Sequence, residues 1–129
     1  MPPSNAITWF EIPVNDLDRA GRFYETVLGT VLKREDCVGT GHPMAVFPAG
    51  PDAVSGCLMS GTGVTPGISG STLYLHLDGN LDDALTRARD AGARMLVDVT
   101  ALPGDMGRYA VITDSEGNRI GLHQIAPTA

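Results

Sequence analysis

The chain carries one short pattern twice, and any fold it adopts must accommodate both copies. Near the start, Pro13-Val14-Asn15-Asp16-Leu17-Asp18-Arg19-Ala20 follows an apolar run and opens a helical stretch that stops at Gly29. His76-Leu77-Asp78-Gly79-Asn80-Leu81-Asp82-Asp83-Ala84 does the same ahead of Gly92. Later, Met44-Ala45-Val46-Phe47 aligns with Tyr109-Ala110-Val111-Ile112. Continued without a gap, that frame sets Gly56 against Gly121 and Leu58 against His123. A unit repeated at this size implies two similar modules that pack together to close a core. Clefts form where such modules face each other, and function is expected there.

The whole chain of 129 residues, 43% hydrophobic, is one domain's worth, with modules at about 7–61 and 71–126. A formal charge of −6 argues against nucleic acid as a partner, which needs a basic stripe. No apolar stretch approaches a membrane span, and the N-terminus lacks the pattern of a secretion signal. Cys37 and Cys57 form neither a disulfide framework nor a metal-binding pair, so a cytoplasmic location is expected. Glycine, serine and threonine mark 62–71 as the linker.

Each module reads as strand, helix, then three strands. The first strand is expected over 9–14, with Asp16 as N-cap for a helix over 17–28 that Gly29 ends. Leu17, Ala20, Phe23, Tyr24, Val27 and Leu28 give that helix one apolar face, and Gly21 weakens it by about 1 kcal/mol. The echo places a strand over 72–77, Asn80 as cap and a helix over 81–91, with Leu81, Leu85 and Ala88 inward. Short strands follow over 31–34, 44–48 and 54–60, then over 94–99, 109–113 and 119–125. The turn Asp114-Ser115-Glu116-Gly117-Asn118 has hairpin chemistry. The predicted class is α+β: two tandem βαβββ modules with curved mixed sheets forming a cleft and helices on the outer face.

Alternation separates the two faces of each strand. Phe10, Ile12 and Val14 oppose Trp9, Glu11 and Pro13. Leu73, Leu75 and Leu77 oppose Thr72, Tyr74 and His76. Ile120 and Leu122 oppose Arg119, Gly121 and His123. The aliphatic faces should lie under the helices. The mixed faces look like the lining of a small-molecule cavity, the alternative being a sheet face open to solvent.

The duplicated pattern, with Val14-Asn15-Asp16, Phe23-Tyr24 and Leu28-Gly29, resembles the vicinal oxygen chelate superfamily. Asp114-Ser115-Glu116-Gly117-Asn118-Arg119-Ile120 is similar to the acidic turn before that family's last strand. The group includes glyoxalase I, extradiol dioxygenases and the fosfomycin- and bleomycin-resistance proteins, and its scaffold hosts many chemistries. In its metal-dependent members four side chains hold a divalent ion, drawn from the first and last strand of each module. The resemblance carries those positions onto Trp9, Gly56, Thr72 and Gly121, a set that is poor in ligand atoms. No metal and no other cofactor is therefore assigned.

The polar groups left on the mixed faces are Glu11, His76, His123, Arg119 and Tyr74. Glu11 and His123 are read as a hydrogen-bonded pair spanning the modules, either structural glue or a general acid and base. Glu11, His76 and His123 also have the composition of a relocated metal site. Trp9 is either a cavity floor that stacks on a planar ligand or core packing. Arg119 is either solvated or in reach of an anionic ligand, and Tyr74 can complete a polar cluster. His76 lies near a strand end. Cys57 is placed on the helix side as a small apolar residue, and Met106-Gly107-Arg108 as a connection able to act as a lid. Gly61-Thr62-Gly63 lacks the lysine and helix of a phosphate loop.

Three functions compete. One is a small-molecule cleft with metal-independent, isomerase- or lyase-type catalysis; the second is a non-catalytic protein sequestering a drug or metabolite. The third is a metal-dependent glyoxalase or dioxygenase. Open strand edges and the family's habits predict a homodimer.

Overall fold

The computed structural model describes residues 4–125, so the expected module end at 126 falls just outside it. The first module runs β1 (Trp9–Pro13), α1 (Leu17–Leu28), β2 (Lys33–Asp36), β3 (Pro43–Val46) and β4 (Ser55–Met59). The second runs β5 (Leu73–His76), α2 (Leu81–Asp90), β6 (Met95–Ala101), β7 (Arg108–Thr113) and β8 (Arg119–Gln124). Each forms a four-stranded mixed sheet, in the orders β1-β4-β3-β2 and β5-β8-β7-β6. β1 runs parallel to β4 and β5 to β8, while the remaining pairs are antiparallel. This is the α+β, tandem βαβββ architecture expected from the repeat. Among the described residues no helix is long and apolar enough to cross a membrane.

The caps operate as their residue types dictate. Asp16 accepts from the Arg19 amide at 3.0 Å, and Asn80 from the Asp83 amide at 3.1 Å. Gly29 ends α1 in the left-handed region at φ 68°, where its amide reaches the Glu25 carbonyl. Inward faces of both sheets and both helices merge into one core. Ile12, Tyr24 and Leu58 enter it from the first module, and Leu75, Leu85 and Leu122 from the second. Each such side chain contributes roughly 1.5–3 kcal/mol by leaving water.

The acidic turn of the second module is what locks it to the first. Asp114, buried, accepts from the Tyr24 hydroxyl at 2.6 Å and from the amides of Glu116 and Asn118. Asn118 donates through Nδ2 to the Pro13 carbonyl at 2.7 Å, beside the end of β1. Burial first, then the Asp114 carboxylate, raise the Tyr24 phenol well above its ordinary range, so it stays a donor. Glu116 reaches the first turn of α1, accepting from the amides of Asn15 and Asp16 and from Arg19. There it also faces the positive end of the helix. From the other side, Arg87 on α2 donates to the Thr26 and Val27 carbonyls at the end of α1, both at 2.9 Å.

Glu116 carries a pH prediction. Burial alone opposes its charge, but hydrogen bonds from Arg19, Asp16, Ser115 and Asn15 outweigh that and hold its pKa down to about 2. A carboxylate depressed on folding stabilises above its unfolded pKa of about 4.3, and that stability is lost as pH falls through the folded value. Between pH 4.5 and 2 the wild type should therefore lose about 2 kcal/mol through this group, discounted because Arg19 is half exposed. Urea unfolding of Glu116→Gln should show a flatter slope over that window; an unchanged slope contradicts the assignment.

Candidate functional site

The site question turns on which way each strand residue points, and one hairpin changes the answer. Ala45 lies opposite Leu58, and its counterpart Ala110 lies opposite Leu122. The β3–β4 connection is thus one residue longer than the β7–β8 connection, and the gap-free repeat frame fails beyond it. Leu58 corresponds to Leu122, Met59 to His123 and Cys57 to Gly121. A one-residue slip turns every later side chain to the other face.

Two expectations are corrected by this register. Gly56 pairs with Phe10 and faces the core, where a Cβ would strike the Phe10 ring. Cys57 pairs with Glu11 on the opposite face instead of lying on the helix side. The family ligand position on β4 accordingly falls on Cys57, and the set becomes Trp9, Cys57, Thr72 and Gly121. Burial, aided by the Glu11 charge, pushes the Cys57 thiol up to about 12, so it is a poor thiolate donor.

The faces turned away from the core carry the chemistry-bearing residues. On the first sheet, Trp9 and Glu11 are exposed, Trp9 at 43%. On the second, Tyr74 is 53% exposed and its ring covers Gly121, where a Cβ would collide with it. Tyr109 meets Tyr74 edge to face with centroids 5.6 Å apart. His76 and His123 are direct neighbours in register. Tyr109 was missed as a site residue, although Ala110 and Ile112 pointing inward on β7 imply it.

Within one chain Glu11 and His123 do not form the expected pair. His123 Nε2 lies 2.6 Å from the Met106 carbonyl, which ties the 102–107 loop to this face. A carbonyl only accepts, so Nε2 carries the proton and Nδ1 is left as the acceptor in the neutral ring. His76 Nε2 is 2.7 Å from the Asp78 carboxylate, so it too is a donor. Among the described residues Glu11 has no side-chain hydrogen bond, and no three His, Cys, Asp or Glu side chains gather as a metal site. The relocated set of Glu11, His76 and His123 does not converge in one chain. Arg119 is not simply solvated: its Nε donates to the Thr72 hydroxyl at 3.0 Å.

Known proteins share this architecture. The model of the Glyoxalase/Bleomycin resistance protein/Dioxygenase superfamily matches residues 6–122. TnmS3, an antibiotic binding protein from Streptomyces sp. CB03234, is similar at 24% identity over 97% of this chain and all of its own, with TM-score 0.61. A glyoxalase/bleomycin resistance protein from the same organism is 26% identical over 91% of this chain and 98% of its own, with TM-score 0.65. The fosfomycin resistance protein FosX from Listeria monocytogenes has TM-score 0.60 at 14% identity, over 96% of this chain and 94% of its own. No curated protein matches the sequence significantly.

Proposed function

Because the chain belongs to the Glyoxalase/Bleomycin resistance protein/Dioxygenase superfamily, we propose that it captures a small planar organic molecule between the open sheet faces of two copies. The observation that carries this reading is the exposure of Trp9 and Tyr74 on faces turned away from the core. Large rings left in water mark a surface that something else covers. Glu11, beside Trp9 and without a hydrogen-bond partner among the described residues, favours a cationic ligand, since a ring face and a carboxylate both attract positive charge. The antibiotic-binding and resistance proteins that share the fold support sequestration as its use. The free thiols Cys37 and Cys57 suit a cytoplasmic setting.

A homodimer completes this site. β1, β2, β5 and β6 are sheet edges, and the open faces of one chain need a partner to become walls of a cleft. Light scattering at micromolar concentration should give twice the 13.5 kDa chain mass. A monomer mass contradicts the proposal.

A second reading, metal-independent acid–base catalysis of the isomerase or lyase type, is favoured by the His123 tautomer. With Nε2–H held by Met106, Nδ1 is left as the acceptor that a general base presents. Binding comes first in either case. A thermal-shift screen of planar and cationic molecules, followed by the emission of Trp9, tests it.

A further inference from the structure

A cavity of about 280 Å³ lies at the seam between the modules, beside the open face of the first sheet, with which it shares Glu11. β1 forms one wall, β5 and β8 the other, and linker residues Thr65, Gly67, Ser69 and Ser71 close it. The linker is fastened there: the Gly67 amide donates to Asn118 Oδ1 at 3.0 Å, and Asn118 bonds the Pro13 carbonyl of β1. Glu11 lines the first wall and Arg119 the second, and the two do not form an ion pair with each other. Arg119 spends Nε on Thr72, and its two Nη groups have no partner among the described residues.

We propose that this cavity binds a small zwitterion, an amino carboxylate whose ammonium meets Glu11 and whose carboxylate takes both Nη groups of Arg119. Opposite charges that line one cavity without pairing select a ligand that carries both signs. A singly charged molecule leaves the other wall's charge unpaired while displacing its water. Guanidinium presents the paired donors that a carboxylate accepts in bidentate fashion. Size narrows the class further. The volume falls just below the range of about 300–1,000 Å³ typical of sites for drug-sized ligands, and it equals the liquid share of about nine waters. That suits an aliphatic amino acid. Ser69 and Ser71 add hydroxyls at the rim, and Phe10, Leu73 and Ile120 supply an apolar floor for the connecting methylenes.

The site is complete in one chain and, although it shares Glu11 with the cleft proposed above, it adds Arg119 and the linker, so it goes beyond that reading. Calorimetric titration of the full chain with the series from glycine to 6-aminohexanoate tests it, with butyrate and butylamine as singly charged probes. One member of the series should bind about tenfold or more tighter than either probe. Arg119→Gln and Glu11→Gln should each weaken that member by about tenfold, Arg119→Lys should weaken it less, and Arg89→Gln on the exposed side of α2 should match wild type. The proposal is overturned if no member binds at 10 mM, if butyrate or butylamine binds equally well, or if Arg119→Gln binds like wild type. Each of those results leaves the aromatic-face reading standing, because its readout is the emission of Trp9 with a planar ligand.

Discussion

Asp114→Ala is expected to destabilise the protein by about 4 kcal/mol and to lower its melting temperature by roughly 10–20 °C. The carboxylate is 5% exposed and accepts from the Tyr24 hydroxyl, the Glu116 and Asn118 amides, and Asn118 Nδ2. Truncation leaves the Tyr24 hydroxyl and the Asn118 amide buried without an acceptor, which costs more than the bonds themselves contributed, while Asn118 Nδ2 keeps the Pro13 carbonyl. It also unseats Glu116 from the first turn of α1, so the loss reaches the junction between modules. Asp114→Asn keeps one acceptor oxygen and the shape of the turn and should cost about half as much. Thermal denaturation decides the matter: a shift below 3 °C for the alanine variant contradicts the central place given to this turn.

Alanine at the two sheet glycines should have unequal effects. Gly56→Ala is expected to cost about 2–3 kcal/mol, because its Cβ meets the Phe10 ring on the core side. Phe10 is itself held against Phe47 with centroids 5.5 Å apart, and Phe47 packs edge to face on Tyr24 at 5.6 Å. The ring can yield only by leaving Phe47 and turning into the cavities it lines, which loses that packing. Gly121→Ala meets the Tyr74 ring, which stands half in solvent and can swing aside, so its cost should stay under about 1 kcal/mol. Chemical denaturation of both variants measures the difference. Equal costs would restore the symmetric frame in which the two glycines correspond, and would contradict the one-residue slip between the hairpins.

That slip shows where the sequence stops being legible. Local signals were readable: both helix starts, both N-caps and the inward stripes follow from residue type and period, and strand limits shift by no more than about two residues. The faces of β1, β5 and β8 followed from alternation alone. The face of β4 did not, because it depends on a hairpin length that no periodic signal reports, and so Gly56 and Cys57 were exchanged. Contacts between distant segments were equally hidden. Glu116 lies about a hundred residues from the amides it caps, and its turn reads as plain hairpin chemistry until the modules are docked. The same holds for Glu11, which lines one cavity with Arg119 and with linker residues distant from both in sequence. Its expected pairing with His123 is not formed within one chain: His123 Nε2 bonds the Met106 carbonyl, and Glu11 has no side-chain hydrogen bond among the described residues.

The open faces are the centre of the functional account, and Trp9 reports on them directly. It is the only tryptophan in the chain, it is 43% exposed, and it shares a face with Glu11. The direct measurement is a titration of Trp9 emission with the tightest planar ligand from the thermal-shift screen. The account predicts saturable quenching or a spectral shift with the same midpoint as binding, as the ring passes from water to contact with the ligand. A tight ligand that leaves the emission of Trp9 unchanged would place the binding site elsewhere and contradict the account.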